Sequence, residues 1–168
     1  MPATFNWAQT VGAPAGTTQL LGSSGNLVNF KAIDGIGTSQ YDTQPIPAGS
    51  NSFEVWLRGF FSGTFNAIYD IRFWMSTDFS PNTGLVVKVK TNGQQSYLQP
   101  TNATSSIATS TIGTSDPGTR NVSTSGSLTS SIMATGYTDF IVLQLQTQSN
   151  APAGDTSLAT FSLSYIET

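Results

Sequence analysis

The sequence predicts an all-β protein: an antiparallel β-sandwich, with jelly-roll connectivity as one option, in a single domain spanning residues 1–168. Three observations predict it. Runs of about 5–11 β-branched, aliphatic and aromatic residues alternate with clusters of Gly, Pro, Asn and Ser. Several runs alternate apolar and polar side chains with period two, as a sheet with one solvated face requires. No segment carries a helical stripe. A chain of 168 residues is long enough to bury roughly 70% of its unfolded surface, so a substantial core is available.

Taken in order, residues 1–17 fit either a first strand or an extended N-terminal arm. The predicted strands are 18–21, 26–33, 52–61, 65–76, 85–90, 95–99, 127–134, 138–147 and 158–166. Leu85, Val87 and Val89 share a face, as do Ile141, Leu143 and Leu145, and Phe161, Leu163 and Tyr165. Asn92-Gly93 signals a hairpin between 85–90 and 95–99, because both residues tolerate the positive φ of a type I′ turn. Pro-Ala-Gly recurs at 14–16, 47–49 and 152–154, each time ahead of a strand. Proline presets the turn and glycine relieves its exit. Residues 100–126 form a long Ser/Thr-rich loop. It holds either a short edge strand around Ser105–Ile112 or an excursion that orders against a partner.

The stretch FEVWLRGFFSGTFNAIYDIRFWMS, residues 53–76, reads as a hairpin turning at Ser62-Gly63-Thr64. That register places Val55 opposite Ile71 and Phe53 opposite Phe73 on a wholly apolar face. The reverse face then joins Glu54 to Arg72 as a cross-strand pair, which is worth roughly 0.2–1 kcal/mol. It also displays Trp56, Arg58, Phe60 and Trp74. Tryptophan and arginine are enriched at binding hot spots, so these four are the candidate partner-binding residues. The competing reading is that loops 34–51 or 100–126 of the same chain cover this face.

Charge is scarce, at 9% of residues, with six basic and nine acidic side chains and a net charge of −3. Residues 1–30 and 121–138 carry none. Nucleic-acid binding is not expected, since phosphate recognition needs clustered cations. Cysteine and histidine are absent, which removes disulfides, thiolate chemistry, the commonest metal ligand and the usual general base. No apolar run approaches the roughly 20 residues of a membrane span, and no signal peptide is read at the N-terminus.

The catalytic option left open is a pair of carboxylates. The candidates Asp34, Asp42, Asp70, Asp78, Asp116, Asp139, Asp155, Glu54 and Glu167 mostly sit at turns, where Asp bonds to local backbone. Asp42, Asp78 and Asp155 could offer oxygen ligands to calcium, but form no recognisable ligand run. Gly35-Ile36-Gly37 lacks the third glycine of a nucleotide fingerprint. The expectation is a protein that is not an enzyme, with no cofactor and no metal.

Three segments resemble virion proteins of tailed bacteriophages, of the head-decoration type: QPIPAGSNSFEVWLRGFFSGTFNAIYDIRFWMS, the Ser/Thr-rich middle, and TDFIVLQLQTQSNAPAGDTSLATFSLSYIET. The resemblance lies in arrangement and contains no catalytic signature. It implies a sandwich that attaches to the major capsid protein or other virion subunits, often as a trimer. It places the protein in the virion after synthesis in a host cytoplasm. The alternative function is a carbohydrate-binding or host-adhesion module, with Trp7, Tyr41, Tyr97 or Tyr137 as exposed sugar platforms.

Overall fold

The structure is a computed structural model that describes residues 2–22, 28–36, 44–154 and 156–168. Among them are no helix and nine strands: β1 (Thr4–Val11), β2 (Thr17–Gly22), β3 (Val55–Ser62), β4 (Ile68–Thr77), β5 (Leu85–Lys90), β6 (Ser110–Thr111), β7 (Gly136–Tyr137), β8 (Ile141–Thr147) and β9 (Thr160–Glu167). They form two antiparallel sheets packed face to face, a β-sandwich. The seven-stranded sheet has the order β2-β1-β3-β8-β5-β6, with β7 also paired to β3. The second sheet is the pair β4-β9.

Strands β3 and β4 do not form the expected hairpin. They lie in different sheets, and residues 62–67 cross between the layers, tied down where Asn66 and Ala67 N–H donate to the Thr168 carbonyl. Val55, Leu57 and Phe61 of β3 thereby oppose Ile68, Ile71, Phe73 and Met75 of β4 across one core. Val87, Val89, Ile141, Leu143 and Leu145 complete it from β5 and β8. A hairpin would join the two apolar stripes side by side and leave them needing a second layer. The arch makes each stripe the other's cover. Full burial of such a side chain is worth about 1.5–3 kcal/mol, against less than about 1 for the Glu54–Arg72 pair. Burial decides the topology.

That cross-strand pair is accordingly not formed. Arg72 reaches Asp116 at 2.9 Å and Asp70 at 3.7 Å on the second sheet, while Glu54 is buried on the first. Asp70 sits at φ 51°, where the β4–β9 register shifts. This bulge lets Ile68 and Ile71, three residues apart, both point inward.

Of the remaining expectations, residues 1–17 contain strand β1, and the window 105–112 contains the short strand β6. The glycines of all three Pro-Ala-Gly turns have positive φ. Residues 95–99 and 127–134 are not strands, and neither are 28–33; residues 26 and 27 lie outside the described residues. After Gly93 (φ 71°) the chain leaves the ladder and crosses the face of the seven-stranded sheet. Residues 113–132 instead close the free edge of β4. Gly113 O accepts from Met75 N–H, the Asn121 amide bonds both Phe73 N–H and Phe73 O at 2.8 Å, and Ile132 exchanges two hydrogen bonds with Ile68.

Candidate interaction surface

Trp56, Arg58 and Phe60 alternate along β3 and share the outer face of the seven-stranded sheet. Cross-strand pairing sets Thr10, Ala8 and Asn6 of β1 beside them. Trp74 does not join them. It lies half-buried in the other sheet, opposite Ser162 of β9, because β3 and β4 are in separate layers. The expected four-residue surface is therefore divided between two sheets.

The outer face is itself divided. One half is sealed by residues 94–109, which lie over it as a lid. Trp56 has 0% exposure and meets Tyr97 and Phe140 edge-on at 5.1 and 5.3 Å. Ala108, Ile107 and Val142 fill the remaining space. Trp56 is thus a core residue and has no surface to offer a partner. The covering loop belongs to the same chain, as the competing sequence reading held.

A buried carboxylate latches the lid. Glu54, 5% exposed, accepts from Trp56 Nε1 (3.1 Å), Ser106 Oγ (2.6 Å), Ile107 N–H (3.2 Å) and Thr101 N–H (3.3 Å). Four donors occupy its lone pairs, which offsets the cost of burying the charge. Gln144, also buried, donates through Nε2 to Ser52 O and Ala103 O. Tyr97 Oη donates to Gly12 O at 2.7 Å. Burial raises the Tyr97 phenol above its ordinary value, and the nearby Asp34 and Glu54 carboxylates raise it further. Its ring fits only because residue 16 is glycine: a Cβ there would lie 2.6 Å from the ring, and φ is +72°.

The other half is open. Strand β7 puts Tyr137 opposite Phe60, with ring centroids 4.7 Å apart and tilted by 39°. Tyr137 is 38% exposed. Arg58 donates from Nε to Thr138 O at 2.9 Å, and its guanidinium sits 4.3 Å above Phe140 and 4.9 Å above Tyr137. Desolvation pulls the Arg58 pKa below its ordinary value, while Asp139 and then Tyr137 oppose the shift. Asp139 is buried and accepts from Ser123 Oγ and from Gly126 N–H at 2.8 Å, anchoring the loop that precedes β7. Leu20 of β2, beside Ala8, extends this half toward the sheet's edge.

Tyr137 entered the sequence reading only as a sugar platform. Its place beside Phe60 depends on the two-residue strand Gly136–Tyr137, too short for any periodic signal. The other proposed platforms are not coplanar with it. Trp7 packs edge-on against Phe5 and Phe73 in the core, Tyr97 belongs to the lid, and Tyr41 lies outside the described residues.

A cavity of about 180 Å³ lies between the end of β5 and the lid, lined by Lys90, Asn92, Ile107 and Ser110 among others, with no carboxylate in its wall. Asp78 bonds to Phe79 N–H and Asn82 Nδ2, in the turn role anticipated for it; Asp42 and Asp155 lie outside the described residues. Among the described residues no three His, Cys, Asp or Glu side chains are grouped to hold a metal ion, and no helix is long and apolar enough to cross a membrane. Compared with protein-family models, with curated proteins and with solved structures, the chain matches none.

Proposed function

We propose that the protein is a structural subunit of a virion, a capsid-decorating or capsid-stabilising β-sandwich that binds neighbouring subunits through the open half of its outer sheet face. The observation that carries this reading is the Arg58–Phe60–Tyr137 cluster. Two rings in tilted contact and a guanidinium fixed by one backbone bond stand at the surface with little freedom left to lose. Aromatic and arginine side chains held this way are what interface hot spots are made of. Among the described residues Arg58 spends only Nε, on the Thr138 carbonyl, which leaves its terminal nitrogens to a partner's carbonyl or carboxylate.

The capsid setting is supported by the arrangement of the three sequence segments and by composition. A shell of many copies in close contact is electrostatically easier to build from a chain that is 9% charged than from an ordinary one. The test is attachment of the Phe60→Ser, Tyr137→Ser double variant to intact capsids in a co-sedimentation assay. Attachment falls by at least about tenfold while Trp74→Ala attaches normally, since removing two hot-spot rings costs more than about 1.4 kcal/mol. Undiminished attachment of the double variant rejects this surface. Glycan binding that is lost in Tyr137→Ser, without any affinity for particles, would favour the carbohydrate-binding reading.

A further inference from the structure

The protein treats the edges of its sheets unequally. The free edge of β4 is closed bond by bond by Gly113, Asn121 and Ile132. The β6 end of the large sheet is blunted by a strand of two residues. At the opposite end lies β2, a six-residue strand whose only pairing among the described residues is with β1. Its outer edge makes no backbone hydrogen bond among the described residues. Thr17–Leu20 are all exposed, Leu20 by 48%.

Natural edge strands are usually guarded by a charge, a proline, a bulge or short length. TTQLL, residues 17–21, has no charge and no proline. The β1–β2 register shift comes only at its far end, beside Trp7 and Gly22. We infer that β2 pairs antiparallel with β2 of a second copy about a twofold axis, continuing the large sheet across a dimer.

The edge itself selects the class of occupant. A row of unpaired N–H and C=O groups is satisfied by an extended strand and by little else. Charge then selects the copy. The net charge of −3 lies outside residues 1–30, which carry no charged side chain, so two β2 strands pair without setting like charges of their own against each other. A twofold centred on Gln19 sets Gln19 against its own counterpart and Thr18 against Leu20. Every pair then stays on its own face, because the paired numbers sum to an even value.

The other edge without a further strand partner among the described residues, β9, is the poorer candidate. Its ladder with β4 shifts register twice, and it carries Glu167. An isologous pairing closes at two copies. It would also bring two Arg58–Phe60–Tyr137 clusters onto the same face of one continuous sheet, where they could act bivalently.

Sedimentation equilibrium over a wide concentration range tests the inference. The wild-type chain should reach a limiting mass of two copies. The Thr18→Lys, Leu20→Lys variant should dissociate at least about tenfold more readily, as charges facing across a strand pair demand, with unchanged circular dichroism. Tyr137→Ser should dimerise like wild type, which separates this edge from the capsid-binding surface. A persistent monomer, a trimer, or a dimer indifferent to the two lysines overturns it. Should the lysine variant unfold, hydrogen exchange on the wild-type chain decides: amides 17–21 gain protection as concentration rises, and concentration-independent exchange refutes the pairing.

Discussion

Trp56 and Phe60 stand four residues apart on one face of one strand, yet they live in different environments. The first is sealed beneath residues 94–109; the second packs at a tilt against Tyr137 at the surface. Local sequence does not separate them, because both are aromatic and both alternate with the core-facing residues of β3. What separates them is Glu54. Its carboxylate gathers donors from the lid and from Trp56 itself, so the covering loop is held over that ring and ends before the next. The same sheet face therefore serves as core at one end and as contact surface at the other.

The largest effect expected from breaking this contrast is Trp56→Ala. Removing a fully buried indole costs about 3–5 kcal/mol, whereas Phe60→Ala, at a half-exposed site, costs about 1 or less. Denaturant unfolding of the two variants side by side checks it, and equal losses would erase the distinction between the halves. Next is Glu54→Leu, which leaves three lid donors and the indole N–H without an acceptor. The expected loss is about 3 kcal/mol, with faster hydrogen exchange at Thr101 and Ile107 and little change along β4. Uniform exchange would mean that the latch is not local.

A smaller effect sharpens the same picture. Tyr97→Phe removes the hydrogen bond to Gly12 O and costs about 1 kcal/mol at neutral pH. The folded phenol has a pKa above its ordinary 10.0, so its protonated form favours the fold. That contribution is fully present below pH 10.0 and is lost as pH rises through the raised value. As pH rises above 10.0 the variant should lose less stability than wild type. An identical alkaline decline in both proteins would show that Tyr97 does not supply it.

Lys31 acts in the opposite sense over the alkaline range. The residue is 2% exposed and its buried ammonium makes no hydrogen bond among the described residues, and desolvation lowers its pKa against a smaller opposing pull from Asp34. The unfolded chain then binds the extra proton, so this group makes stability rise with pH up to its ordinary value of 10.5. Lys31→Met should be neutral or stabilising by about 1 kcal/mol at pH 7. A clear destabilisation in thermal melts would show that the ammonium has a partner.

The residues that made the fold legible were those whose pattern reports a face. Leu85-Val87-Val89 and Ile141-Leu143-Leu145 read correctly because period-two alternation states which side is buried. It does not state which strand is the neighbour. For Val55, Ile71 and Phe73 the alternation states the right surface and the hairpin register the wrong pairing, since the same alternation serves a hairpin or an arch between layers. Asn92-Gly93 likewise marked a real bend, but with positive φ at Gly93 and not at Asn92 it is not the expected type I′ hairpin, and the chain leaves the sheet after it. The candidate surface was legible in part for the same reason. Arg58 and Phe60 share a face by spacing alone, but the burial of Trp56 depends on a loop some fifty residues away, and Tyr137 arrives on a strand of two residues.

Hydrogen–deuterium exchange of the protein bound to intact capsids, compared with the free protein, tests the divided face most directly. Protection is expected at residues 58–60 and 136–137, with the lid amides at 101–108 and the segment around Trp74 unchanged. Protection centred on the lid or on β4, with Phe60 and Tyr137 exchanging as in the free protein, would contradict the account.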